Sequence, residues 1–188
     1  MSSRQFLDEL RSEIADSAIC PELAAQATRL VMGSGNPNAD IVFIGEAPGK
    51  KEDEQGVPFV GAAGKFLDKM LVQAGLDRGD VYITNIVKYR PPDNRDPSTA
   101  EKAAFLPYLL RELEIIKPKV VVTLGRHSME YFLPGAQIGE VHGRIYQVAV
   151  DGRSFTIAPL YHPAAALYNG SLRQILIDDF ISVVEAIK

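Results

Sequence analysis

The sequence predicts an α/β protein, a three-layer α/β/α sandwich around a central four-stranded, mainly parallel sheet. Two observations carry this. Four short apolar runs rich in β-branched residues, at 41–44, 81–87, 120–124 and 155–160, have the length and composition of buried strands. Between them lie stretches with apolar residues at helical spacing, and strands that alternate with helices build parallel sheets covered on both faces. The 188 residues, 46% hydrophobic and 23% charged, suffice for one core, so a single domain spanning 1–188 is expected.

The elements follow in order. A charged N-terminal helix precedes the first strand, 41–44, which runs straight into a loop dense in Gly and Pro. Residues 64–73 read as a helix closed by Gly75, ahead of the strand at 81–87. Residues 98–116 read as a longer helix, with Ser98 as N-cap, Glu101 three residues on to complete a capping box, and Pro118 just beyond its end. After the strand at 120–124, Gly125 leads into a short helix containing His127. Residues 144–158 depart from the alternation: Ile145, Gln147 and Ala149, then Asp151-Gly152 and Phe155, read as a hairpin feeding the last core strand. Residues 172–187 form the last helix. In such a sheet the crevice outside the carboxyl ends of the strands is where a ligand sits.

Composition narrows the function. No run approaches the roughly 20 apolar residues of a membrane span, and the N-terminus is polar rather than signal-like, so a cytoplasmic protein is expected. The one cysteine, Cys20, excludes an internal disulfide and leaves too few thiolates for an all-Cys zinc or iron–sulfur site, so no metal is expected. A net charge of −4 argues against a protein that coats nucleic acid. Yet Lys50, Lys51, Lys65, Lys69, Lys88, Arg90 and Arg95 gather in one stretch, which is either a solvated surface or a face for DNA.

Three loops at strand ends hold the candidate chemistry. The first is Gly45-Glu46-Ala47-Pro48-Gly49 with Glu52, Asp53 and 56–61, a rigid backbone platform that can approach a ligand closely, or an ordinary strand-to-helix turn. It is not a phosphate-binding P-loop, which needs Gly where Phe59 stands and Ser or Thr where Phe66 stands, and no dinucleotide-binding glycine triplet is present. The second is Thr84-Asn85 and the following loop through Arg95. The Asn85 amide, with one donor and one acceptor edge, either ties down a strand end or pairs with a base edge such as N3 and O4 of uracil. The third is Tyr161-His162-Pro163-Ala164-Ala165-Ala166-Leu167, where His162 sits at a carboxyl-end loop. His127 and His142 read as structural histidines.

Taken together, GEAPGKKEDEQGVPFVGAAGKFL, ITNIVKYRPPDNRDP and YHPAAAL resemble, in order and separation, the three signature regions of the family 4 uracil-DNA glycosylases. The resemblance runs from about Gly35 to the end and implies base-excision DNA repair: uracil is flipped from the helix and its N-glycosidic bond hydrolysed to leave an abasic site. It implies that the uracil stacks on Phe59 beside Ala47, that Asn85 reads its edge, and that His162 hydrogen-bonds its O2. Glu46 and Glu52 match acidic positions that place the attacking water and shape the pocket, Asn94 matches a further active-site amide, and Leu167 is the expected wedge into the DNA stack. The expected partner is uracil-containing DNA, single- or double-stranded, met by a monomer that in a prokaryote would lie at the nucleoid. The chain departs from the family at its iron–sulfur cluster: the four cysteine positions are here Ser17, Cys20, Tyr89 and Phe105, so no cluster is expected and aromatic packing takes its space. Residues 88–105 contain no histidine, unlike relatives that capture uracil covalently. A uracil- or DNA-binding module without catalysis is the alternative.

Overall fold

The computed structural model describes residues 1–187. The predicted strands at 41–44, 81–87, 120–124 and 155–160 appear as β2 (Ile41–Gly45), β3 (Tyr82–Asn85), β4 (Val120–Leu124) and β6 (Arg153–Leu160). They form four parallel neighbours in the order β3, β2, β4, β6. Two antiparallel edge strands, β1 (Ser34–Gly35) and β5 (Tyr146–Val150), complete a six-stranded sheet. The hairpin between β5 and β6 turns at Asp151 (φ 50°) and Gly152 (φ 74°), the pair of positive φ values that a tight two-residue turn requires. The second strand ends earlier than its apolar run. Ile86 and Val87 leave the β ladder, yet their N–H groups donate to the carbonyls of Gly45 and Glu46, at 3.0 and 3.1 Å.

Alternation along the strands sorts the core into two layers. Val42, Ile44, Tyr82, Val121 and Ile157 face one side, where they meet α1 (Ser3–Asp16), α2 (Pro21–Gln26) and α5 (Thr99–Ile116). Ile41, Phe43, Ile83, Val120, Val122 and Leu160 face the other, against α4 (Ala62–Gln73) and α9 (Ser171–Ile187). Between the two helical layers the central strands are buried on both faces, which is why they read as continuous apolar runs. Ser98 caps α5 as expected: Glu101 N–H donates to Ser98 Oγ at 3.2 Å, and Ser98 N–H to Glu101 Oε2 at 2.7 Å. The short helices α3 (Lys50–Gln55), α6 (Arg126–Met129), α7 (Ile138–Val141) and α8 (Ala165–Tyr168) belong to the connections, and α3, α6 and α8 follow the carboxyl ends of β2, β4 and β6. Among the described residues no helix is long and apolar enough to cross a membrane.

Candidate active site

Glu46, Ala47, Glu52, Phe59, Asn85, Asn94 and His162 line one cleft of about 340 Å³ at the carboxyl edge of the sheet. Its size is that of a small-ligand pocket. Leu167, the remaining predicted site residue, lies outside this lining, on α8 and 40% exposed. Arg173 Nε–H donates to the neighbouring Ala166 carbonyl at 3.1 Å and ties α8 to α9.

The ring of Phe59 is buried, and its backbone takes φ 54°, a value that side-chain-bearing residues rarely adopt. Three neighbours enforce it. Arg78 donates through Nη1 to the Phe59 carbonyl at 2.9 Å and through Nη2 to the Pro58 carbonyl. Glu52 Oε1 accepts from the N–H groups of Val60 and Gly61 at 2.9 and 2.8 Å. Gly64 leaves room for the Phe59 carbonyl, which a Cβ at that position would overlap. Glu52 thus holds the loop that carries the ring.

Asn85 ends β3 with its side chain buried and, among the described residues, without a protein hydrogen bond on its amide, so both edges are available to a ligand. Its backbone is fixed from behind. Lys88, fully buried, donates through Nζ to the Asn85 carbonyl at 2.8 Å and to Thr84 Oγ1 at 2.6 Å, and pairs with Glu112, equally buried. Tyr82 OH donates to the same Glu112 carboxylate at 3.1 Å. Lys88 is therefore no part of a basic surface for DNA, a correction to the charge pattern read from sequence. Four polar side chains, those of Tyr82, Thr84, Lys88 and Glu112, converge here behind the Asn85 carbonyl because a buried charge is tolerated only when paired and hydrogen-bonded.

His162 follows β6. Its Nδ1 accepts the N–H of Ala164 at 3.1 Å, and burial, reinforced by the charge of His127, pushes its pKa down to about 4. At neutral pH the ring is uncharged, and with Nδ1 accepting, the proton resides on Nε2. The imidazole and Phe59 rings lie 5.7 Å apart between centroids with planes inclined by 30°.

Glu46 has the opposite shift. Burial raises its pKa to about 7, Asp96 adds to the rise, and Lys102 and Arg126 oppose it. Asn94 Oδ1 accepts from Arg90 Nε at 2.7 Å, which leaves the amide nitrogen as its free end. The loop bearing Asn94 is pinned where Arg95 grips Glu101 with both terminal nitrogens, at 2.9 and 2.6 Å.

On the α1/α5 side of the sheet, Tyr89 and Phe105 are buried edge to face with centroids 6.1 Å apart, and Cys20 packs against the same cluster. Ser17 closes α1 and Cys20 precedes α2. The supporting residues Arg78, Glu112, Asp96 and His127 were not marked by sequence. Each acts through a partner 10 to 81 positions away, and no local pattern announces that (Asp68 and Arg78 at the short end, Glu46 and His127 at the long).

The fold and the cleft define an α/β protein with a small-ligand site, built of a ring face, a free amide and a neutral imidazole at the carboxyl edge of a parallel sheet. The family model described as Uracil DNA glycosylase superfamily matches residues 32–184, and the chain belongs to that superfamily. It is 46% identical over 185 residues to the Type-4 uracil-DNA glycosylase of Sulfurisphaera tokodaii, covering 95% of this chain and 84% of the relative. The Type-4 uracil-DNA glycosylase of Archaeoglobus fulgidus is 45% identical, with 96% and 93% covered, and that of Thermotoga maritima 40%, with 100% and 98% covered.

Proposed function

We propose that this chain is a DNA repair glycosylase that flips uracil out of DNA and hydrolyses its N-glycosidic bond, leaving an abasic site. The observation that carries the reading is the convergence of Phe59, Asn85 and His162 on one cleft. The base stacks on Phe59. Asn85 pairs with N3–H and O4 and so reads uracil by its edge. As the C1′–N1 bond lengthens, its electron pair moves into the base, and the Nε2–H of neutral His162 donates to O2, where the negative charge collects. Water then takes C1′, with Glu46 positioned to receive its proton, since a base whose pKa lies near the working pH is the most effective. Glu52 acts by holding the Phe59 loop, Asn94 borders the cleft, and Leu167 fills the gap left by the flipped nucleotide.

The enzyme works without an iron–sulfur cluster. Ser17, Cys20, Tyr89 and Phe105 offer one thiol where four are needed, and the two aromatics are packed against each other, so this donor set does not fit a four-thiolate group. Nothing in the chemistry above calls for a metal. The chain acts as one domain and as a monomer, in the cytoplasm at the DNA.

Cleavage of a labelled oligonucleotide carrying one uracil, followed by alkali, tests the activity. Strand scission by the wild type, reduced about a hundredfold in His162→Ala, is the expected result. Absence of scission with specific uracil-DNA binding retained would instead establish a binding module. Purified protein that absorbs in the visible and contains iron would overturn the cluster-free reading.

A further inference from the structure

Glu46 meets two groups that the mechanism above does not use. Its Oε2 lies 3.7 Å from His127 Nε2, and that nitrogen lies 3.3 Å from Asp96 Oδ2. The three atoms fall within 4.8 Å of one another, at the rim of the uracil cleft. The three residues come from different places in the fold: the end of β2, the loop before α5, and α6. His127 Nε2 accepts the Nε–H of Arg126 at 3.2 Å, so its lone pair is engaged there and this nitrogen brings no proton to the two carboxyls. Three acceptors turned toward one point repel unless positive charge or a proton lies among them. Arg126, 3.6 Å from Asp96, and Lys102 supply the nearby positive charge, and Glu130 adds a further negative one beside His127.

We propose that Asp96 and His127 are positioning residues for Glu46, forming with it a proton-sharing group that takes the proton of the attacking water and passes it to solvent. The proposal rests on the glycosylase reading. The C1′–N1 bond breaks with its electron pair on the base, the water oxygen bonds to C1′, and one water proton goes to Glu46. From Glu46 it passes to Asp96, whose side chain is 64% exposed, and so to bulk water, while the released base is protonated from solvent. His127 keeps the two carboxyls on one side of its ring. The like charge of Asp96 and the burial of Glu46 both favour a proton on Glu46, and the shared group is thereby poised near neutrality.

Two measurements on the full chain decide this. In the first, the side-chain carboxyl carbon of Glu46 is titrated by NMR and assigned with Glu46→Gln. In the wild type it titrates near neutrality, and in Asp96→Asn the midpoint falls by about half a pH unit or more, because a neighbouring negative charge is gone. In the second, single-turnover uracil excision is followed against pH. Its acid limb moves with the same midpoint in Asp96→Asn, and His127→Ala lowers the plateau about tenfold with KM little changed. His127→Gln, which keeps an acceptor, restores most of that loss. An unmoved Glu46 midpoint in Asp96→Asn, or a His127→Ala plateau within about twofold of wild type, overturns the proposal. A wild type that excises no uracil overturns the glycosylase reading instead, and the carboxyl titration still decides the pairing. Asp96 is on the surface, so its variant folds even where a His127 variant does not.

Discussion

Gly45 and Asn85 stand opposite each other in register at the ends of β2 and β3, and the face that Gly45 leaves bare is filled by the Asn85 amide and the Phe59 ring. A Cβ on residue 45 would overlap Asn85 Oδ1 and lie 2.6 Å from the Phe59 ring. The backbone here is ordinary, so the glycine answers to space alone. Gly45→Ala is expected to cost about 1–3 kcal/mol of stability from overpacking and, on the proposed reading, to raise KM for uracil-DNA more than it lowers kcat, because the Asn85 amide and the Phe59 ring are displaced. Urea denaturation beside steady-state kinetics checks both parts.

Arg78 is expected to matter to catalysis although it does not line the cleft. It supplies hydrogen bonds to the carbonyls of Pro58 and Phe59, and its Nη1 also meets Asp68 at 2.8 Å. Arg78→Ala lets residue 59 relax from its positive φ, and lowers stability by about 1–3 kcal/mol with a drop in kcat/KM of about tenfold or more. Arg78→Lys rescues little, since one ammonium cannot replace the fork that spans both carbonyls. Thermal unfolding and excision rates of the two variants separate these effects.

Removing one partner of the buried Lys88–Glu112 pair leaves a charge with no solvent to receive it. Burial pushes the Lys88 pKa down while Glu112 holds it up. Lys88→Met is expected to destabilise by about 3–5 kcal/mol, and Lys88→Met with Glu112→Leu to recover most of that while activity stays low, since the Asn85 carbonyl has lost its donor. Urea midpoints for the single and double variants provide the check.

Stability against pH follows from two opposed shifts in one cleft. His162 is held near pKa 4 against an ordinary 6.5, so the unfolded chain binds more protons between those values and stability falls as pH drops from about 6.5 to 4. Glu46 is held near 7 against 4.5, so the folded chain binds more protons there, and stability falls as pH rises from about 4.5 to 7. Between 4.5 and 6.5 the two slopes oppose each other. His162→Ala is expected to unmask the Glu46 slope, giving a protein that loses stability as pH rises through this window. Urea midpoints at pH 5 and 6.5 measure it.

The four central strands were legible because a strand covered on both faces is built mainly of apolar, β-branched residues, as Val120–Leu124 and the core of β6 show. The α5 cap was legible because Ser98 and Glu101 bond within four residues. β1 escaped notice, since two residues of edge strand leave no pattern. In the site, Asn85 and His162 were legible as candidates from residue type at strand ends, whereas Phe59, beyond α3, was singled out only by the family resemblance. Lys88 misled: a lysine among basic neighbours reads as surface, and its burial depends on Glu112, 24 positions further on. His127 passed as a structural residue because its company, Glu46 and Asp96, assembles only once three loops meet.

The edge-to-face packing of Tyr89 on Phe105 secures the loop between β3 and α5, which carries Asn94 and Asp96, to the helix behind it. A joint made of two carbon rings needs no delivery of iron or sulfide and no assembly machinery, and it is complete when the chain folds. Its rigidity comes from packing that forms with the fold itself, so the loop bordering the cleft keeps its geometry for as long as the chain stays folded.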